Sequence, residues 1–191
     1  MAQADTQVTD ISAPLTEPVT LDYAKTFLRV DTDDDDALIS DLITSARLRI
    51  EQMIGGSLIT RARRYRSSRL TGQGVFLAHH PVTEVSALRL IGPDGTTLIP
   101  VEAARINLRC LPPVVSLKNR SSFRSYDPSA DTLEIEFTAG YGEAPEDVPM
   151  PLRQAVLLLL AQSYEYRGEA TPPPVPMMVD ALLMPYRGLR L

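Results

Sequence analysis

Leu152-Arg153-Gln154-Ala155-Val156-Leu157-Leu158-Leu159-Leu160-Ala161, closing on Tyr164 and Tyr166, is the stretch on which the fold turns. Between Pro151 and Arg167 it reads as a helix that is apolar on nearly every side. A surface helix keeps one apolar stripe and gives its other face to water, whereas a helix apolar all round has to be covered on several sides. The run is far shorter than the roughly 20 residues a membrane span needs, and Arg153, Gln154 and Gln162 interrupt its ends. A single small domain has no way to bury such a helix alone, so a neighbouring subunit is expected to contribute. Leu157, Leu158, Leu159 and Leu160 are therefore expected at a subunit interface as well as in a core.

Working outward, the spacing predicts two further helices on the N-terminal side. One starts at Thr20, a good N-cap, and carries Leu21, Ala24, Phe27 and Leu28 on one face. The other begins in Asp33-Asp34-Asp35-Asp36, repeats apolar residues from Ile39 to Ile54 at helical spacing, and stops at Gly55-Gly56. From Leu58 to Thr138 the period becomes that of strands, expected at 58–68, 74–78, 83–91, 96–100, 114–118 and 132–138. Gly92-Pro93-Asp94-Gly95 has the composition of a hairpin turn, and 119–131 reads as a long loop. The fold class expected is α+β: a small helical bundle core, a β-rich middle subdomain, and extended N- and C-terminal arms. The segments are an arm at 1–19, helical core at 20–57, a β-rich insertion at 58–138, helical core again at 139–169, and a proline-rich arm at 170–191.

Composition narrows the function. A single cysteine, Cys110, excludes an internal disulfide framework, and two histidines leave a Cys/His zinc site short of ligands. The start of the chain lacks the basic and apolar parts of a signal peptide, so a cytoplasmic protein, or a particle assembled in the cytoplasm, is expected. The net charge of −5 hides a partition: residues 1–60 carry four basic and eleven acidic groups, 61–130 eleven and four, and 131–191 four and nine. Alternating blocks of −7, +7 and −5 suit head-to-tail association of identical subunits, although a monomer with uneven charge has the same sum. Seventeen of the nineteen basic residues are arginine, whose planar fork favours ordered ion pairs.

Each constellation that could carry chemistry has a plainer alternative. Asp31, Asp33 and Asp35 have the spacing that opens a calcium loop, but Asp36 stands where the turn needs Gly and Leu42 where a bidentate Glu is needed, so helix capping accounts for them better. His79 and His80 lie before Pro81 without a nearby ligand set, and Cys110 has no evident His partner. Glu134 and Glu136 share one face of a strand, the solvent face if Leu133, Ile135 and Phe137 face the core. No phosphate loop, nucleophile elbow or zincin motif occurs. No catalytic residue, cofactor site or metal site is assigned. The densest basic cluster, Arg61, Arg63, Arg64, Arg66 and Arg69, is either a docking surface for acidic protein or DNA backbone, an acidic neighbour being the reading adopted here for Arg61, Arg63, Arg64 and Arg66, or a solvated edge strand.

Three stretches read together carry a resemblance. Glu17 to Lys25 leads through Leu28-Arg29-Val30-Asp31 into the second helix. Phe137-Thr138-Ala139-Gly140-Tyr141-Gly142 leads through Val148 to Ala155 and on to Tyr164-Glu165-Tyr166-Arg167. Ala181-Leu182-Leu183-Met184-Pro185-Tyr186-Arg187 completes the set. The pattern resembles the head–tail connector (adaptor) proteins of long-tailed bacteriophages and of the phage-derived gene transfer agents. That resemblance implies a virion structural protein without enzymatic activity or cofactor. It would form a homo-oligomeric ring, usually of twelve copies, beneath the portal protein, with the stopper or tail protein on its other side. DNA would pass through the middle without sequence-specific recognition, and no membrane is involved. A stopper or tail-completion protein of the same particle is the nearest alternative. A small-molecule binding module or enzyme, which would need a pocket with convergent polar groups, is the more distant one.

The C-terminal stretch gives the last expectation. Thr171-Pro172-Pro173-Pro174-Val175-Pro176 reads as a stiff polyproline spacer. The residues beyond it, Met177, Met178, Val179, Leu182, Leu183, Met184 and Tyr186, are too apolar for a free end. With Arg187 and Arg190 they are expected to form an arm that anchors on the portal, the alternative being that the segment folds back on its own subunit.

Overall fold

The computed structural model describes residues 6–68, 70, 74–77, 79–110, 112–118, 122–167 and 174–187. The first five residues of the N-terminal arm, Arg69, the polyproline residues 171–173 and Arg190 lie outside the described residues. The chain divides into two units: residues 1–13, 61–140 and 189–191 form unit 1, and residues 14–60 and 141–188 form unit 2.

Unit 2 is built from four helices, α1 (Leu21–Leu28), α2 (Asp36–Ile54), α3 (Met150–Glu165) and α4 (Met177–Leu183). Thr20 caps α1 by accepting the Tyr23 N–H through its hydroxyl. Helix α2 ends where Gly55 takes a left-handed conformation, φ 65°, which glycine adopts without steric cost. Helix α3 is the centre of the unit. Its Leu152, Ala155, Val156, Leu157, Leu159 and Leu160 are buried together with Ile39, Ile43, Ala46, Ile50 and Ile54 of α2 and Val179 and Leu183 of α4.

Two expectations change here. The chain covers α3 by itself, through α1, α2 and α4. Leu157, Leu159 and Leu160 are at most 3% exposed before any second copy is present, and Leu158 is partly buried against the same core. The missing cover comes from the segment expected to reach outward: α4 turns back, and Val179 and Leu183 are each 0% exposed within unit 2. Of the two readings of the C-terminal cluster, an arm anchored on the portal or a segment folded back on its own subunit, the second holds for Val179 and Leu183.

Polar groups tie the bundle at its seams. Arg47, 5% exposed, holds the Glu17 carboxylate in a two-point fork, Nε to Oε2 at 2.7 Å and Nη2 to Oε1 at 3.2 Å. It also reaches Glu51 Oε2 at 3.2 Å, while Glu51 Oε1 accepts the Leu58 N–H at 2.8 Å. One guanidinium thus straps the segment before α1 onto α2, and its partner carboxylate fixes the chain leaving α2. Such a buried group is tolerated because it is paired and hydrogen-bonded on several sides.

Unit 1 holds two antiparallel sheets. The larger has the order β1 (Thr6–Asp10), β2 (Arg61–Ser67), β8 (Thr132–Ala139), β4 (Val82–Gly92), β5 (Gly95–Ile99). The smaller has the order β3 (Gly74–Phe76), β7 (Val114–Leu117), β6 (Ala104–Asn107). Alternation sends Tyr65, Leu88, Leu90, Leu133, Ile135 and Phe137 to one face of the large sheet, where they share a core with Val75, Val115, Leu117 and Phe123. Gly92 pairs with Gly95 to close the β4–β5 hairpin around Pro93 and Asp94. The N-terminal arm is not free of the sheet: its Thr6–Asp10 segment is strand β1, paired along β2. Strand β2, read as a possible edge, is therefore an inner strand. Within 119–131, expected as a long loop, the described residues include a short 3-10 turn whose Phe123 is 1% exposed.

Helix α4 generates the first prediction. Leu183→Ala should lower the unfolding free energy by about 2–5 kcal/mol, the usual cost of emptying a fully buried leucine site. Chemical denaturation of the full-length protein measures this, and a change within error of zero would remove α4 from the core.

Candidate assembly surfaces

Strand period places one side chain in two of β2, β8 and β4 on the face of the large sheet opposite the core. Two rows of cross-strand neighbours result. Gln7, Arg66, Glu134, Arg89 and Leu98 form one, and Thr9, Arg64, Glu136 and Ala87 the next. The charged members interlock. Glu134 Oε2 accepts Arg66 Nε at 2.8 Å and Glu134 Oε1 accepts Arg89 Nη1 at 3.0 Å. Glu136 Oε1 accepts Arg64 Nη2 at 2.8 Å and Glu136 Oε2 accepts Arg89 Nη2 at 3.1 Å. Arg64 Nε lies 3.5 Å from Glu134. Three guanidiniums thus share two carboxylates.

The electrostatics follow from that count. The Arg89 guanidinium, and after it Arg64, hold the Glu136 carboxyl below the usual glutamate range, and Arg89 is raised in turn by its bond to Glu136. Glu134 does lie on the face opposite Leu133 and Ile135, but it is only 5% exposed because the arginine side chains roof it. What this face presents is guanidinium: the side chains of Arg64, Arg66 and Arg89 are 34%, 48% and 29% exposed.

The other two arginines of the cluster point the opposite way, since β2 alternates. Arg61 and Arg63 are 4% and 6% exposed, and both reach Asp10 Oδ1 at the end of β1, at 3.0 and 2.8 Å. Arg63 also lies 2.7 Å from His79 Nδ1. The four described arginines of the cluster expected to await an acidic neighbour are therefore already paired within their own chain, and of these Arg64 and Arg66 stand at the surface. Sequence reading missed Arg89 and Asp10. Arg89 was legible, because Leu88 and Leu90 on either side of it fix its face. Asp10 was not, because a five-residue strand with one partly buried residue, Val8, gives almost no periodic signal.

On unit 2 the surface is of another kind. Inward residues of α4 are buried, while Met177, Met178 and Met184 are 88%, 59% and 71% exposed. Leu182 and Tyr186 are partly buried, and Tyr186 meets Tyr141 edge to face with ring centres 6.5 Å apart. Burial pushes the Tyr141 hydroxyl up to about 12, with Tyr186 adding to the shift. Arg187, just past the 3-10 turn that follows α4, pairs with Asp180 of α4, seven residues earlier.

Several of the remaining sequence candidates have local partners. Lys25 binds Asp33 and Asp36, which holds Asp33 below the usual aspartate range and raises Lys25. Tyr164 donates to Asp35, and that bond raises its phenol. Cys110 is exposed and accepts from Asn107 Nδ2 at 2.9 Å. Among the described residues, no helix is long and apolar enough to cross a membrane.

Comparison with known proteins gives a family and a structural setting. The sequence model of the head completion protein family matches residues 17–189. No curated protein matches significantly. Among solved structures, a chain from the virion of a native gene transfer agent particle is 27% identical, with a TM-score of 0.80 over 96% of each chain. A chain from the neck of an empty gene transfer agent particle, computed with C6 symmetry, is 25% identical, with a TM-score of 0.77 over 97% of each. A third, from the neck of a native gene transfer agent particle computed with C12 symmetry, is 26% identical, with a TM-score of 0.73 over 97% of each.

The ion lattice sets a pH dependence. Because Glu136 is depressed in the folded state, its contribution is fully present above the ordinary glutamate value, roughly 4.3, and is lost as pH falls through the lower folded value. Urea midpoints at pH 6 and pH 3.5 should therefore differ less in Glu136→Gln than in the parent chain; an unchanged difference would deny Glu136 that role. Separately, Glu134→Ala leaves three guanidiniums around an emptied site, and because these are part-exposed and Arg64 and Arg89 keep Glu136, chemical denaturation should show a loss of about 1–3 kcal/mol, the usual cost of losing charge-assisted hydrogen bonds.

Proposed function

The chain belongs to the head completion protein family, and on that premise we propose that it is a structural, non-enzymatic part of the neck of a phage-like particle. It is a head–tail adaptor that assembles as a ring of identical copies, twelve in number, between the portal protein and the stopper or tail. DNA passes through the bore of that ring. The observation that carries the reading is the likeness along nearly the whole chain, at 25–27% identity, to chains of gene transfer agent virions and necks. Ring symmetry in the neighbours supports a ring here, and the number twelve rests on the C12 relative and on the resemblance read from the sequence.

The geometry suits that role. A conduit component has to be rigid and must not hold the polyanion it conducts. The acidic sum of the chain disfavours retention of DNA, and the basic groups on the large sheet are engaged with carboxylates. The exposed side of α4 supplies the portal contact: Met177, Met178 and Met184 are flexible thioethers that adapt to an irregular apolar groove, and an exposed apolar set of this kind marks an interaction site. Val179 and Leu183 anchor that helix to its own subunit, so the methionines are presented from a fixed base.

Negative-stain imaging of the purified protein, alone and with the portal of the same particle, tests the reading. Rings that cap the portal are expected, and a protein that stays monomeric with and without portal would overturn it. Changing Met177, Met178 and Met184 together to Ser should leave the melting temperature unchanged and weaken portal binding by at least about tenfold, since few anchor residues carry most of an interface's energy. Undiminished binding would assign the portal contact elsewhere.

A further inference from the structure

The contact between one copy and the next can be argued from the charges of the two units, and this rests on the ring proposed above. Unit 1 carries twelve basic and nine acidic residues, net +3, and unit 2 carries seven basic and fifteen acidic, net −8. A closed ring of identical subunits uses a heterologous contact, one patch on the leading side and a different patch on the trailing side. A chain holding one cationic and one anionic unit already possesses both.

On unit 1 the matching surface is the outer face of the large sheet. Its two carboxylates are sunk, with side chains 6% and 19% exposed, and its three guanidiniums stand above them, so a partner meets positive charge with one unit in surplus. Three guanidiniums fixed by shared carboxylates keep their orientation, which lowers the entropy lost when a further carboxylate docks. Leu98, 69% exposed, extends the Arg66–Glu134–Arg89 row and gives the face an apolar margin.

On unit 2 the complement is the segment leading into α2. Lys25 takes Asp33 and Asp36, and Tyr164 takes Asp35. Asp31 and Asp34 are exposed, and among the described residues neither has a cationic partner. We propose that the Arg64, Arg66 and Arg89 face of unit 1 docks on the Asp31–Asp34 segment of unit 2 of a second copy. Duplex DNA fits the sheet less well, because a surface with two carboxylates woven between its arginines carries little net charge for a polyanion, whereas separate carboxylates suit guanidinium forks.

The test uses the full-length chain and reads ring formation by mass photometry across a salt series, with thermal unfolding as the check on folding. Asp31→Arg with Asp34→Arg, and separately Arg66→Asp, should each weaken assembly by at least about tenfold and flatten its salt dependence. A chain carrying Asp34→Arg and Arg66→Asp together should recover much of the loss. If Arg66→Asp lowers the melting temperature, Arg66→Cys with Asp34→Cys replaces it, and disulfide-linked ladders between copies are expected on oxidation. Normal assembly of the aspartate variants, a loss that the combined change does not restore, or a cysteine pair without ladders each overturns the proposal. So does an Arg66 variant that assembles normally but loses binding to duplex DNA. Failure of the unaltered chain to form rings would instead remove the adaptor reading itself.

Discussion

A helix without a polar side has to be enclosed, and the architecture of unit 2 follows from enclosing α3. Helix α2 runs beside it, α1 adds a shorter contact, and α4 returns to seal the part that α2 leaves open. Because α4 returns, the large apolar area of α3 is removed from water inside a single copy, and the side chains left outside, the methionines on α4, the aspartates before α2 and the guanidiniums on the large sheet, take no part in closing that core.

The large sheet solves a different problem. Strand β8 is covered by apolar packing on one face and by arginine on the other, so Glu134 is buried on what would otherwise be a wet surface. A carboxylate in that position is tolerable only while several hydrogen-bonding cations surround it, and arginine meets the requirement with planar forks that one oxygen pair can share. Lysine would supply the charge without the geometry. The arginine bias of the composition thus has a structural counterpart in this lattice and in the Arg47–Glu17 fork.

Much of this was legible in the sequence. Period and capping placed α1, α2 and α3, because Thr20, Gly55 and the Leu152–Leu160 run are strong local signals, and alternation gave the main strands and the face of Glu134. Strand β1 and strand β6 were missed because short segments gain their stability from pairing with distant strands, which no local window contains. The apolar character of α4 was visible, but not what it packs on. Val179 and Leu183 at helical spacing suit a foreign groove and the flank of α3 equally well, and only the closed bundle decides between them. The partners of the arginine cluster were hidden for the same reason: its carboxylates lie 51 to 72 positions away in the chain, in Asp10, Glu134 and Glu136.

The junction between the units has a kinetic meaning. Unit 1 interrupts unit 2 between Thr60 and Tyr141, yet the first residue of β2, Arg61, pairs directly with the last of β8, Ala139. On the unit 2 side, Tyr141 donates to Leu58 and Thr60 donates to Gly142. The two strands of chain that leave and re-enter the bundle are thereby neighbours. Once the β2–β8 ladder has formed, α2 and α3 are joined by a short closed link instead of a loop of about 80 free residues. Closure entropy rises with the logarithm of loop length, by about 0.6 kcal/mol per doubling, so shortening the effective loop about tenfold makes the pairing of α2 with α3 easier by roughly 2 kcal/mol. The sheet that carries the arginine lattice is, for the bundle, also the clasp that brings its two halves within reach of each other.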